Sequence, residues 1–248
     1  MLAPILVVCA VAFTPLSYLS LPTSGLSFRW FRALGANRQF VGAFETSLWL
    51  GCVSATCAVA ISVPAALAIV RYVFAGKQIL LALFQAPFMV PTVVLGIAFL
   101  RFFSEIGLGG SFVALIIGHV VVVMPFALRI MISALSGLDR AAERAAASLG
   151  AGALTIFRRI ILPAILPGVV SGWVLAFITS FDELTMTTFV AAPETTTLPL
   201  RLFLYIQDNI DPLIAAASAS LIGMTVLLLI VLDRLYGLDR LLVGEGRR

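Results

Sequence analysis

Asp182 and Glu183 are adjacent acids inside an otherwise apolar run, and His119 is the one histidine of the 248-residue chain. A carboxylate at mid-bilayer costs roughly 2.5–3.5 kcal/mol on insertion scales, so such groups face a cavity or a partner. Two chemistries suit the acids: attraction of a cationic solute, or a hydrogen-bonded lock across a gate. The bland alternative is a pair of carboxylates in water at the membrane edge. At roughly 1.5 Å of rise per residue they lie about 29 Å from Pro163, toward the outer half of a span. Helical neighbours point about 100° apart, so the two acids cannot share a direction. Glu183 falls on a small, polar stripe with Gly168, Gly172, Ala176, Thr179 and Thr187, expected to line a pathway or an inter-subunit contact. Trp173, Phe177 and Phe181 lie beside or behind that stripe and are expected to meet lipid or packed helices. His119, midway along another apolar run, is expected to make an interhelical hydrogen bond. With Thr179, Asp182, Glu183 and Thr187 it forms the candidate pathway or gate set.

Catalytic chemistry finds little support. Gly109-Gly110-Ser111 mimics a nucleophile motif, but a serine needs a histidine base within hydrogen-bond reach. His119 is eight residues on, about 12 Å along one helix. No GxxxxGK[ST] run exists to form a phosphate-binding nest, so the chain is expected to bind no nucleotide itself. Cys9, Cys52 and Cys57 sit in apolar runs without clustered histidines, which argues for buried small hydrophobes and no metal site.

The elements that carry these residues follow from composition. The chain is 61% hydrophobic and only 11% charged, with a mean hydropathy of +1.12. Soluble domains carry roughly 25% charged residues, so this is an all-α membrane protein. Spans of about 20 apolar residues are expected at about 1–21, 44–70, 79–103, 111–128, 160–190 and 212–233, as one transmembrane domain over 1–248. The run from Met1 to Leu21 has no basic start and no clear cleavage site, and is expected to stay as a span. The net charge of +4 reflects 16 basic and 12 acidic side chains, and their placement suggests orientation rather than nucleic-acid binding. Arg71, Lys77, Arg129, the Arg140–Arg159 group and the tail's Arg234, Arg240, Arg247 and Arg248 outnumber Arg29, Arg32, Arg38, Arg101 and Arg201. Basic loops stay inside, so both termini and the fourth connection are expected in the cytoplasm.

That fourth connection, about 130–163, is long, charged and packed with alanine. Asp139 is a candidate N-cap, Arg140–Leu149 has high helix propensity, and Gly150 suits a left-handed stop. The expected product is a helix of about three turns outside the membrane. Ala141, Ala142, Ala145, Ala146 and Ala147 give it little bulk, so another surface can approach its backbone. An ordinary solvated connection is the plainer reading.

The run ERAAASLGAGALTIFRRIILPAILPGVVSG resembles the signature loop of bacterial binding-protein-dependent ABC importer permeases. Ala145, Ala146, Gly150, Leu162 and Pro163 match that pattern, while Arg144 stands where the family usually has glutamate and Glu143 precedes it. SLPTSGLSFRWFRAL at 20–34, GHVVVVMPFALR at 118–129 and FDELTMTTFVAAPETTTLPL at 181–200 look like the polyamine-type branch. The resemblance implies six spans with a cytoplasmic coupling helix between the fourth and fifth. It implies that Glu143, Arg144, Ala145, Ala146, Leu149, Gly150, Leu162 and Pro163 form the ATPase-coupling region. Its implied partners are a second permease subunit, homologous or identical, two ABC ATPase subunits carrying ATP and Mg2+, and a periplasmic or extracellular substrate-binding protein. The segment containing Thr195–Thr197, Arg201 and Tyr205 is implied to meet that binding protein. A secondary transporter or channel not driven by ATP is the alternative.

Overall fold

Two of the expected spans are interrupted near a proline, Pro15 and Pro91. The computed structural model describes residues 3–23 and 25–236, and among these every regular element is a helix or helical turn. The run expected to span at 1–21 is helical only in α1 (Ala3–Val11). Pro15 has no amide hydrogen and biases its predecessor away from helix. The Thr14 hydroxyl accepts the Leu16 amide and pairs with Ser20 instead. Helix α2 (Arg29–Ala36) follows, and then α3 (Arg38–Arg71).

The expected span at 79–103 is also broken. Helices α4 (Lys77–Met89) and α5 (Thr92–Glu105) are bent by 104° at their junction. Pro87 is absorbed inside α4, whereas Pro91 leaves Val90 extended at φ −94°, ψ 128°. Helix α6 (Phe112–Ser136) outruns its expected end and takes in Arg129, which the sequence placed in a connection. Helix α7 (Ala141–Ser148) is followed by a continuous run of α8 (Ala153–Ile156), a π-helical turn (Phe157–Ile161) and α9 (Leu162–Phe181). In a regular helix the Pro163 ring would strike the Arg159 carbonyl, and the widened turn accommodates it. The expected span at 160–190 therefore starts earlier and ends at Phe181, before α10 (Thr187–Val190). Helices α11 (Leu198–Asp208) and α12 (Leu213–Tyr236) complete the described chain. Met1 and the tail's Arg240, Arg247 and Arg248, used in the orientation argument, lie outside the described residues.

Three helical runs are long and apolar enough to cross a membrane among the described residues: α3, α6 and Ala153–Phe181. The bent α4–α5 pair makes a fourth if counted as one span, and α12 carries a shorter apolar stretch, Leu213–Leu227. Among the described residues, three or four stretches are thus long and apolar enough to span, where the sequence suggests about six.

The residues group into two compact units, Met1–Trp49 with Ala191–Arg248, and Leu50–Val190. In the first, α12 packs on α1 and α2. Ser47 Oγ accepts the Leu198 amide at 2.7 Å, and Tyr205 donates to Asp211 at 2.8 Å. Burial, followed by that hydrogen bond and the Asp211 charge, pushes the Tyr205 phenol up to about 12.

The second unit is centred on α6 against α9. A Cβ on Gly168 would come within 2.7 Å of the Ala134 Cβ, and one on Gly172 within 2.6 Å of the Met131 Cε. Gly168, Gly172 and Ala176 are all buried. The small stripe therefore closes α9 onto α6 of the same chain, a small-xxx-small contact. This corrects the expectation that the stripe lines a pathway or an inter-subunit contact. Trp173 and Phe177 pack toward α3: Trp173 Nε1 donates to Thr56 Oγ1 at 3.0 Å, and a Cβ on Gly51 would meet the Phe177 ring at 3.0 Å. Ser111 is a helix cap, its hydroxyl accepting the Ala114 amide and donating to the Leu108 carbonyl. The three cysteines are free and half-buried, and no metal-holding cluster occurs among the described residues.

Candidate functional site

Two constellations lie at opposite ends of the Ala153–Phe181 run, which at roughly 1.5 Å per residue is about 40 Å long. The first is the alanine-rich helix. It is eight residues, about two turns rather than three, because Arg140 serves as its N-cap and Leu149 as its C-cap. The Asp139 carboxylate accepts the Ala141 amide at 3.0 Å. Gly150 has φ +84°, with its amide donating to the Ala147 carbonyl and the Ala151 amide to the Ala146 carbonyl. Those two bonds make a Schellman stop, which requires the left-handed residue that glycine supplies.

This helix is anchored to the end of α3 by charge. Arg71 Nη2 donates to Glu143 Oε1 at 2.6 Å, with side-chain exposures of 9% and 16%, so water screens the pair little. Arg140 Nη2 donates to the Val70 carbonyl at 2.9 Å. Glu143 is therefore spent inside the chain. Arg144, Ala145 and Leu149 remain exposed, Leu149 by 89%, and Ala146 is half-buried. Gly150 and Pro163 are exposed and Leu162 is half-buried on the first turn of α9. A flank of low bulk with one unpaired guanidinium and one bare leucine can be approached closely by another protein.

The second constellation forms where α9 ends. Glu183 is not on the helical stripe; it folds back and caps the next short helix. Its Oε1 accepts the Met186 amide at 2.8 Å, and Oε2 accepts the Thr187 amide at 2.9 Å and the Thr187 hydroxyl at 2.7 Å. A carboxylate satisfies the orphan amides at a helix start. The Thr187 hydroxyl has one hydrogen, and the charged acceptor makes the stronger bond. His119 bridges the two hydroxyls, with Nε2 2.9 Å from Thr187 Oγ1 and Nδ1 2.8 Å from Ser180 Oγ. The result is a closed chain, Ser180 to His119 to Thr187 to Glu183, in which His119 and Thr187 are fully buried. His119 thus makes two interhelical bonds where one was expected.

Small neighbours admit this junction. A Cβ on Gly96 would fall 2.6 Å from the Phe189 ring, and one on Gly118 3.1 Å from the Met186 sulfur. The structure thus brings His119, Glu183 and Thr187 together and leaves Thr179 and Asp182 out. Thr179 Oγ1 donates to its own helix at Leu175, and Asp182 is exposed one turn further on. Of the two acids, Asp182 is the one open to solvent.

Sequence reasoning missed Ser180 as a histidine partner and Arg71 as the partner of Glu143. Arg71 was legible only as a basic loop residue. A lone arginine ending one apolar run and a lone glutamate opening a charged helix were the available signal.

The family described as binding-protein-dependent transport system inner membrane component matches residues 58–238. The spermidine/putrescine transport system permease protein PotC of Haemophilus influenzae is 33% identical over 232 residues, which cover 94% of this chain and 90% of that protein. PotC of Escherichia coli K12 is 30% identical over 237 residues, 96% of this chain and 89% of that protein. A bacterial alginate ABC transporter, solved with an alginate pentasaccharide-bound periplasmic protein, has a similar fold. Its TM-score is 0.69 at 18% identity, covering 100% of this chain and 91% of that one. These likenesses and the apolar helices describe a multi-pass inner-membrane permease. The chain belongs to the binding-protein-dependent transport system inner membrane component family.

Proposed function

We propose that this chain forms half of the translocation pathway of an ABC importer for a polyamine-like or other small cationic solute. A second permease subunit, homologous or identical, supplies the other half. Two ATPase subunits, which bind the ATP and Mg2+, dock on the α7 side. A periplasmic or extracellular binding protein delivers solute on the other. The connection holding α7 and both termini then face the cytoplasm, as the positive-inside bias favours.

The observation that carries the reading is α7 itself: short, exposed, low in bulk, and tied by Arg71–Glu143 to the end of α3. A push on such a helix is passed to the membrane helices instead of being absorbed by a slack loop. Arg144 is the exposed charge left on it, so the ATPase surface facing it carries an acid. The cationic cargo is supported by the names of the relatives, both spermidine/putrescine permeases, and by the exposed Asp182 carboxylate beside Thr179.

Vesicles reconstituted with both permease chains, the ATPase and the binding protein test this. ATP-dependent uptake of labelled spermidine or putrescine is expected, and Arg144→Glu is expected to weaken ATPase assembly most at low salt. Solute flux that ignores ATP, or uptake of anions alone, overturns the function. Tighter assembly of the Arg144→Glu variant overturns only the acidic partner surface.

A further inference from the structure

An apolar groove opens in the unit built from the two ends of the chain. Its volume is about 340 Å³, and Phe31, Leu34, Phe40, Phe44, Leu221 and Met224 line it. That volume lies within the range of ligand sites, roughly 300–1,000 Å³. The one hydroxyl on the wall, Ser220, is spent on the Ala216 carbonyl at 2.8 Å. The groove makes no hydrogen-bonding demand and suits hydrocarbon.

Its rim is the opposite. On α2, Arg32 precedes the lining residue Gly35 by three positions, and on α3 Arg38 precedes the lining residue Val41 by three. Residues three apart are neighbours on a helix surface, so each arginine is borne one turn before a residue of the groove wall. Both are exposed, and neither has a hydrogen bond or ion pair among the described residues. Arg29 behaves differently: it is held by the Pro15 carbonyl at 2.8 Å and lies over the Trp30 ring at 4.6 Å. Helix α2 is amphipathic, with Arg29 and Arg32 set against Trp30, Phe31 and Leu34. Its apolar face is turned to α12 and the groove, which leaves the arginine side exposed.

We propose that this groove and its two arginines bind an anionic phospholipid, with an acyl chain on the phenylalanine wall and the phosphate between Arg32 and Arg38. The inference rests on the chain being a membrane permease, but on no assumption about its cargo. Guanidinium matches phosphate geometry in a paired, bidentate manner, and basic clusters on interfacial helices select anionic headgroups. An apolar segment of the second permease subunit could fill the groove, but it would leave two unpaired arginines at its edge.

The test is lipid retention by the assembled importer, purified in mild detergent and placed in nanodiscs of mixed phosphatidylglycerol and phosphatidylethanolamine. Native mass spectrometry and lipid extraction are expected to find phosphatidylglycerol enriched on the wild-type complex. Arg32→Gln with Arg38→Gln is expected to lower that enrichment about tenfold or more. Leu221→Trp, which fills the groove and keeps both arginines, is expected to lower it as well. Equal phosphatidylglycerol retention by wild type and the double variant overturns the proposal. So does a photo-crosslinker at position 221 that captures the second permease chain instead of lipid. Because uptake is not the readout, a wrong cargo assignment leaves this result unaffected.

Discussion

The α7 surface and the junction after α9 are both polar interruptions of an apolar chain, and they are built in opposite ways. At α7 only the anchoring charges are consumed internally: Arg71 takes Glu143, Arg140 takes the Val70 carbonyl, and Arg144 and Leu149 stand free. At the junction each of the four side chains is consumed, and the Ser180–His119–Thr187–Glu183 chain closes on itself out of water. Buried polar groups must be satisfied within the fold, because an unpaired one costs its full desolvation. Exposed ones need not be, and a surface meant for a partner keeps its donors unspent. One region leaves polar and apolar groups exposed, and the other holds a shape.

The sharpest way to break that contrast is at Glu183. Glu183→Ala strands the Met186 and Thr187 amides and the Thr187 hydroxyl, and should cost roughly 2–4 kcal/mol, given 1.5–3 kcal/mol for a charge-assisted bond. Thermal unfolding of the purified permease should show it, with Glu183→Gln intermediate because it keeps an acceptor. Unchanged melting would mean the junction does not depend on its cap.

Ala145→Trp should do the reverse. The site is exposed, so melting should shift by no more than about 0.5 kcal/mol in equivalent stability. An indole held against a docked surface costs roughly 1–3 kcal/mol of overlap, which is about tenfold in coupling at 1.4 kcal/mol per decade. Uptake per ATP hydrolysed is the measurement. Normal coupling by an inserted variant would remove α7 from the power path.

The Arg71–Glu143 pair sits between these extremes, largely buried yet on the element proposed to dock the ATPase. Arg71→Gln or Glu143→Gln should each lower stability by roughly 1–3 kcal/mol. A double-mutant cycle should recover part of that loss, because removing both partners strands neither charge. Additive losses would mean the two groups are not coupled.

The smallest effect is expected at Asp182. It is exposed, and its carboxylate has no hydrogen bond or ion pair among the described residues, so Asp182→Asn should leave melting unchanged. Uptake of a cationic solute should fall modestly at low ionic strength and recover with salt, because the attraction is screened. A melting change as large as that of Glu183→Ala would show that the two acids were assigned the wrong way round.

How much of this was legible before any coordinates existed varies with the range of the interaction. The alanine helix was readable to within a residue or two at each end, with Gly150 at its stop as expected and Arg140 rather than Asp139 as its N-cap, because caps act over three or four positions. Its length was overestimated by about a turn, since propensity does not say where a Schellman stop begins. The stripe through Gly168, Gly172 and Ala176 was seen but given the wrong neighbour. Small residues announce close approach and not what approaches. Pro64, Pro87 and Pro91 all fall within apolar runs, yet of these three only Pro91 breaks its span, while the helix continues through Pro64 and Pro87.

By itself the sequence determined that this is an all-helical membrane chain with a charged, low-bulk helix between two of its apolar runs. Hydropathy, helix propensity and capping are local properties carried by neighbouring residues. Only the tertiary structure decided that Glu143 belongs to Arg71, 72 positions away, and that His119 reaches Ser180 and Thr187 at separations of 61 and 68. It also decided that of two adjacent acids one is buried as a cap and the other left to solvent. A helix of known register fixes the relative directions of its side chains. The absolute direction depends on where that helix ends and what packs against it, which is settled only when α6 closes on α9.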